Sequence, residues 1–397
     1  MRRLAGNSAL ILMILFGVSL LSEVDYQVIP PLLPLLANDF HVDPGYAGRA
    51  VTVYALSAAM ATLLFGYLSD HLGRKPFVQA GLFAFSVITL LSAFSRTMNL
   101  FLLTRFLTGV AAASFAVSAT SYAADHFQYE HRGRAMGFLT TAYFAAAIIG
   151  IPSATLVATA WGWRVIYLAN SILALILGVS VVQFLVHSPP TLAKGSIREL
   201  GLEKLRTILN RYALRGDMLA LMTGVLLTSG ATVGFITYLG SHLHKELRLS
   251  MRQVGGVFLW CGLASLIGAP LSGSLSDRFG KRALLIFGGA LLACGMIIIP
   301  VLPEGAWLWI ALGLAGMAMA FRMAPLLALL TEIASPGDRG TLLAVRSTLS
   351  QLGIATISLA ASYCYLYRGY QAVGVLAGSL TALSTLMILF WVREPQV

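Results

Sequence analysis

Five ionisable residues stand where a very apolar sequence gives little reason for charge. Glu23 and Asp25 lie in a first long apolar run, Arg49 opens a second, Arg105 lies in a fourth and Arg322 in a tenth. Ionisable side chains inside such runs are costly to keep, which makes each a candidate for binding or proton transfer. Two residues apart is ~200° around an α-helix, so Glu23 and Asp25 cannot point the same way. One is expected to face a cavity and the other a neighbouring helix. Asp25, Arg49 and Arg105 fall at similar depth by count, and a buried Asp25 needs such a partner. A carboxyl poised between burial and a nearby cation could take up a proton in one state and release it in another, as proton coupling requires. A fixed structural ion pair is the alternative for Asp25. Glu23 has no basic partner in sequence and is the better candidate to titrate. Arg322, in "AMAFRMAPLL", has no acid at similar depth in its half. It is a candidate for holding an anionic substrate group or for pairing across a cavity with Glu23 or Asp25. Arg346, two turns from a helix start, is expected to snorkel to the membrane surface. Tyr26, Tyr54, Tyr143, Phe235, Tyr238 and Trp260 are candidate cavity aromatics, with packing or a membrane-interface belt as the alternative.

A second constellation is duplicated. "GYLSDHLGRK" at 66–75 returns as "GSLSDRFGKR" at 273–282, 207 positions later. The same offset carries Gly66, Asp70, Gly73 and Arg74 onto Gly273, Asp277, Gly280 and Lys281. It also carries Gly109 onto Gly316, Asp125 onto Glu332, and Arg132-Gly133 onto Arg339-Gly340. Each half therefore holds an acid, a base and an acid at equivalent places: Asp70, Arg74, Asp125 and Asp277, Lys281, Glu332. Gly66 and Gly273 allow another helix to approach closely, and Gly73 and Gly280 suit a turn with positive φ. An exposed ion pair is worth only ~0–1 kcal/mol. A network of such pairs at the seam between halves could form and break in a conformational cycle, which makes these residues a candidate gate.

The elements that must position these groups follow from composition. The 397 residues are 58% hydrophobic and 11% charged, with a mean hydropathy of +0.81. Soluble domains are ~25% charged, so the bilayer is the expected solvent. Continuous apolar stretches near the ~20 residues needed to cross a membrane occur at 8–36, 46–69, 77–95, 100–123, 134–158, 163–186, 217–241, 251–275, 283–302, 305–331, 340–366 and 370–391. The fold class is therefore an all-α membrane protein of twelve transmembrane helices in two pseudo-symmetric six-helix bundles. The bundles are expected at 1–187 and 217–397. A linker at 188–216 places Ile197, Leu200, Leu205, Ile208 and Tyr212 at helical spacing. It reads either as a surface-lying helix or as a plain charged tether. The basic, apolar N-terminus lacks a convincing cleavage site and reads as an uncleaved first span.

The net charge of +11 is explained by placement. With the N-terminus inside, 17 of the 27 Lys/Arg fall on one face, seven on the other and three within spans. Basic loops stay in the cytoplasm, so both termini are expected there, and nucleic-acid binding is not needed. Cys261, Cys294 and Cys364 sit singly in separate apolar runs, and the seven histidines make no ligand pattern, so no metal is expected. There is no nucleotide-binding phosphate loop. A membrane-embedded enzyme or sensor would need a nucleophile, base or metal cluster at a membrane surface, and none is found.

These motifs resemble the major facilitator superfamily over essentially the full chain. The signature Gly-x-Leu-x-Asp-x-x-Gly-Arg-Lys stands as Gly66, Leu68, Asp70, Gly73, Arg74 and Lys75. "LLTRFLTGVAAA" (102–113), built on Arg105 and Gly109, is similar to the fourth-helix motif of the twelve-helix drug/proton antiporters, and "PPLLPLLANDF" and "GWR" (162–164) are typical of them. The fifth-helix antiporter motif has a Gly-Pro pair followed by two glycines. Here "GIPSATL" (150–156) keeps Gly150 and Pro152 but separates them and lacks the later glycines, and sugar- and metabolite-efflux members are equally similar. The resemblance implies a monomeric secondary transporter of a bacterial inner membrane, without cofactor or enzymatic activity. Its expected task is proton-coupled export of a small organic molecule by rocker-switch alternating access. The alternative is an efflux permease for a sugar, amino acid or metallophore without proton antiport. Small-molecule substrate, protons and membrane lipid are the expected partners.

Overall fold

A computed structural model describes residues 2–127, 129–186, 211–212, 215–333 and 339–392. Among these residues there are helices and no strands. In chain order they are α1 (Arg2–Gln27), α2 (Ile29–Asp39), α3 (Pro44–Ala47), α4 (Arg49–Leu72), α5 (Arg74–Ala93), α6 (Met98–His126), α7 (Tyr129–Ala145), α8 (Ile151–Trp161) and α9 (Trp163–Phe184). The second half has α10 (Gly216–Lys245), α11 (Met251–Phe279), α12 (Lys281–Ile298), α13 (Ala306–Ile333) and α14 (Arg339–Trp391). Among the described residues eleven helical stretches are long and apolar enough to cross a membrane. The last runs 50 residues, from Leu342 to Trp391, about 75 Å at 1.5 Å per residue. That is over twice a ~30 Å hydrocarbon core. Gly369 breaks it with φ 74° and ψ −171°, so it crosses twice and the spans number twelve, as the apolar runs predict. The linker expectation at 188–216 lies largely outside the described residues. Of its apolar stripe only Tyr212 is described, buried in a cluster with Met218, Leu330 and Val392.

Four tight turns divide the helices in one repeated way. Gly73 and Gly280 both have φ 92°, Gly162 has φ 87° and Gly369 φ 74°. A side chain at such φ meets the following carbonyl, so glycine is the residue that lets one helix end and the next begin at once. Gly162 and Gly369 extend the 207-residue register to two positions that sequence comparison of the polar phrases alone does not reach. Both are followed by a buried aromatic ring, Trp163 and Tyr370.

The first span is not one helix. It breaks at Val28, because Pro30 and Pro31 at the start of α2 carry no N–H for the ladder. The fifth span is also interrupted: Ala146–Gly150 forms a π-helical turn between α7 and α8. Such turns shift the side-chain register along a helix, and this one lies at the Gly150–Pro152 motif. A Cβ on Gly150 would sit 2.6 Å from Val24 Cγ2, so glycine there lets the fifth span close on α1.

Packing differs at the two ends of the molecule. At the end away from Gly73 and Gly280, one continuous apolar cluster joins the halves. It runs from Leu32, Phe101 and Tyr167 to Phe235, Tyr238 and Tyr370. There Tyr238 and Ser362 both donate across the seam to the Gly45 carbonyl, at 3.3 and 2.7 Å. A Cβ on Gly240 would lie 2.6 Å from the Pro30 carbonyl oxygen. At the basic end the core divides. One cluster, with Leu15, Phe85 and Phe115, belongs to the first half, and another, with Leu221, Leu285 and Leu329, to the second. The halves are therefore sealed at one end and parted at the other.

Candidate functional site

The two carboxyls of α1 part as helix geometry requires. Asp25 turns to α6, where its Oδ2 accepts from Arg105 Nη1 at 2.9 Å, and both side chains are 0% exposed. Arg105 also donates to Thr108 Oγ1 at 3.1 Å. Its guanidinium carbon lies 4.8 Å from the Tyr167 ring centre and 5.6 Å from that of Phe101. Aromatic faces and a carboxylate together suit a desolvated guanidinium. Asp25 is thus held in a fixed pair between helices of one half. Glu23 points the other way, onto the wall of a central cavity. Its Oε2 accepts from Gln27 Nε2 at 3.0 Å, and Gln27 is tied to the Tyr143 carbonyl at 3.4 Å.

The cavity holds about 430 Å³, within the range for a small organic ligand. Thr62 and Val117 are in the basic-end halves of α4 and α6, and Gly224 and Arg346 are in those of α10 and α14. With the opposite end sealed, the cavity runs from mid-depth toward the basic end. The first half contributes Glu23 and the rings of Tyr26, Tyr54 and Tyr143. Tyr26 and Tyr54 pack with ring centres 5.6 Å apart, and the Tyr26 hydroxyl is buried without a hydrogen-bond partner. The second half contributes Arg322 from α13, and from α14 a stripe of Arg346, Ser347, Ser350 and Gln351 at one-turn spacing.

Sequence depth put Arg49 with Asp25, and the structure does not. Arg49 lies near the sealed end, its guanidinium 4.9 Å from the Tyr46 ring centre and 5.2 Å from that of Tyr363. Residue count gives depth along a helix but not the direction faced, and Arg49 faces the seam between halves. Arg346 likewise departs from the snorkelling expectation, since it lines the cavity. Of the six aromatics considered, the three tyrosines at 26, 54 and 143 reach the cavity. Phe235 instead packs on Tyr370, Tyr238 seals the opposite end, and Trp260 donates to the Trp309 carbonyl at 2.8 Å on the outer face.

The candidate gate residues form two clusters at the basic end. Arg74 pairs with Asp70 and with Asp125, the latter at 3.3 Å, and donates to Ser69 Oγ at 2.9 Å. In the other half Lys281 pairs with Glu332. Asp277 is exposed and enters no ion pair among the described residues. Each of these pairs stays within one half, rather than bridging the seam as expected for a latch. The parted core at this end explains why. Gly66 approaches Val117 of α6, where an added Cβ would find ordinary contact at 3.6 Å, and Gly273 faces open space.

The model of the Major Facilitator Superfamily matches residues 15–312 and again 221–397. The uncharacterized MFS-type transporter YceJ of Bacillus subtilis is 27% identical over 372 residues, covering 91% of this chain and 90% of its own. Among solved structures, a D-xylose–proton symporter superposes with a TM-score of 0.79 at 17% identity, covering 97% of this chain and 98% of its own. A bacterial homolog of the human lysosomal transporter Spinster, solved inward-facing and unoccupied, gives 0.76 at 14% identity, covering 98% and 99%. At these identities the structural likeness carries the fold alone, which in such neighbours is the two-bundle arrangement of twelve helices.

Proposed function

The chain belongs to the Major Facilitator Superfamily, a family of non-enzymatic carriers, and from that membership we propose a secondary active transporter that couples export of a small organic molecule to proton entry. The observation that carries the proposal is the division of labour on α1. Asp25 is committed to Arg105, whereas Glu23 faces the cavity with Gln27 as its hydrogen-bond donor. A carboxyl on the wall of an alternately open cavity can load a proton from one side and release it to the other. Glu23 is the proton site in this reading.

The cavity leads toward the end that carries the basic loops. Basic loops remain in the cytoplasm, so the conformation is inward-facing and both termini are cytoplasmic. Alternation would part the seal built on Gly45, Gly240 and Tyr238 while the two basic-end clusters approach across the seam. The acids of these pairs are partly exposed, whereas Arg74 is buried, so the Lys281–Glu332 pair is the one that can rearrange at small cost. An efflux permease without proton antiport is the second reading. It is favoured by the fifth span, whose glycine pattern departs from the antiporter motif and is interrupted by a π-helical turn at Ala146–Gly150.

Metabolite profiling of a deletion strain would supply the transported compound. Proteoliposomes containing a pH dye would then test coupling. Addition of that compound is expected to move protons in the parent, and Glu23→Gln is expected to abolish proton movement while the protein still binds. Transport that moves no protons and is unchanged in Glu23→Gln would leave the permease reading in its place.

A further inference from the structure

We propose that the central cavity selects a small organic acid, with its anionic group held by Arg322 and Arg346 on the second-half wall and its aromatic or apolar body against the tyrosines of the first half. This deepens the reading of the cavity as the transport site and rests on it. Among the described residues three charged side chains line the cavity, Arg322, Arg346 and Glu23, so there cations outnumber acids two to one, and by more when Glu23 carries a proton.

Arg322 is 6% exposed, yet its Nε and Nη1 are buried without a hydrogen-bond partner. Its one hydrogen bond among the described residues runs from Nη2 to Ser384 Oγ at 3.4 Å. Ser384 is itself fixed, accepting from Thr228 at 3.0 Å and donating to the Gly224 carbonyl at 3.3 Å. The guanidinium is therefore anchored through a neutral hydroxyl while most of its donors stay unspent. Arg346 repeats the condition: its Nη2 reaches Met323 Sδ at 3.9 Å, and its Nε is buried and unpartnered. Burying a cation without a counter-charge is strongly unfavourable, and this chain meets that cost elsewhere with an acid, as Arg105 shows with Asp25. An anion entering the cavity supplies what Arg322 and Arg346 lack.

The internal repeat gives an independent argument. At the 207-residue offset Arg322 corresponds to Phe115 and Arg346 to Leu139, both apolar and buried. Neither arginine is required by the architecture that the two halves share. Ser347, Ser350 and Gln351 add neutral donors beside Arg346 on the same wall, suited to the remaining lone pairs of a carboxylate. Across the cavity, the Tyr26 and Tyr54 rings offer apolar faces.

The test is calorimetric binding to the full-length protein in phosphatidylcholine nanodiscs. The probes are benzoate, phenylacetate and inorganic phosphate, with benzamide and phenylacetamide as neutral matches and benzylamine as the cation. Carboxylates are expected to bind at least tenfold more tightly than their amides. Arg322→Gln is expected to weaken carboxylate binding ~10- to 100-fold, the range for losing charge-assisted hydrogen bonds. Arg322→Lys should retain part of it, and Arg346→Gln should lose less. Absence of binding by every anion, equal binding of the amides, or unchanged affinity in Arg322→Gln overturns the proposal. Displacement of bound carboxylate by phosphatidylglycerol nanodiscs assigns the arginines to a lipid headgroup and overturns it as well. Proton flux is measured separately. Carboxylate binding that depends on Arg322 without proton movement sinks the coupling alone, and proton movement lost in Glu23→Gln with anion binding untouched by Arg322→Gln sinks this inference alone.

Discussion

Replacing Asp25 by Asn and Glu23 by Gln, two positions apart on one helix, should give opposite phenotypes. Asp25 and Arg105 are both 0% exposed, and removing one partner of a buried pair costs ~3–5 kcal/mol because the other charge is stranded. The introduced amide can still accept one hydrogen bond from Arg105, which places Asp25→Asn near the lower end of that range, ~3 kcal/mol. At the unfolding entropy of ~2 cal/mol/K per residue typical of globular chains, that lowers the melting temperature by on the order of 4 °C. Arg105→Gln should cost a similar amount. The double variant should fall well short of the sum, with a coupling of ~2–3 kcal/mol, as expected for residues in direct contact. Glu23→Gln removes no ion pair, and Gln can keep a hydrogen bond with Gln27, so its melting temperature should stay within a degree of the parent. Thermal unfolding in detergent, followed by the fluorescence of the six tryptophans, reads all four proteins in one format. An Asp25→Asn protein as stable as the parent, or a double variant whose loss equals the sum of the singles, would refute the assignment of Asp25 to structure and Glu23 to function.

Three further outcomes follow from the packing. Asp70→Asn should slow turnover several-fold and leave binding within twofold, because Asp70 pairs with Arg74 at the parted end and is absent from the cavity wall; an equal loss of binding would contradict a gating role. Gly73→Ala should cost ~1–2 kcal/mol, since φ is 92° there, and Gly162→Ala should cost about the same, both measurable as lowered melting temperatures. Gly240→Val should drive a wedge against the Pro30 carbonyl, only 2.6 Å from where its Cβ would lie, and part the sealed end. Spin-label distances between α2 and α10 should lengthen in that variant, and an unchanged distance distribution would show that the seal does not depend on this contact.

The fold was legible in the sequence because a bilayer imposes few solutions. Spans of sufficient length and apolarity give helices, and twelve of them appear where the hydropathy placed them. The two charged clusters at the basic end were legible because their residues repeat in register. What sequence reading could not supply was azimuth. Depth groups Arg49 with Asp25, and nearness to a helix start sends Arg346 to the membrane surface, whereas Arg49 faces Tyr46 and Tyr363 and Arg346 faces the cavity. The partition of Glu23 from Asp25 succeeded because ~200° of separation is a statement about azimuth. The break at Val28 was foreshadowed by Pro30 and Pro31, whereas the π-helical turn at Ala146–Gly150 left no compositional mark in "AAIIG". Gly162 and Gly369 obey the same 207-residue offset as Gly73 and Gly280, but lie outside the polar phrases that make the repeat visible.

That offset separates two kinds of position by what each must do. Asp70, Arg74 and Asp125 keep their chemical type in Asp277, Lys281 and Glu332. So do the four turn glycines, because the equivalent turns of both halves need the same positive φ. Inside the molecule the correspondence fails for every charge. Glu23 maps onto Gly230, Asp25 onto Thr232, Arg105 onto Leu312, Arg322 onto Phe115 and Arg346 onto Leu139. A small molecule lacking two-fold symmetry cannot be held well by a symmetric wall, so the recognising groups have to be those in which the halves differ. That criterion agrees with the proposed site, the acid of the first half and the two arginines of the second, and Asp25 with Arg105 is the exception that burial accounts for. Neutralising the wall charges, with Glu23→Gln, Arg322→Gln and Arg346→Gln combined, should therefore leave the fold intact while removing both coupling and anion selection. A combined variant that still discriminates carboxylates from amides would show that recognition lies elsewhere on the wall.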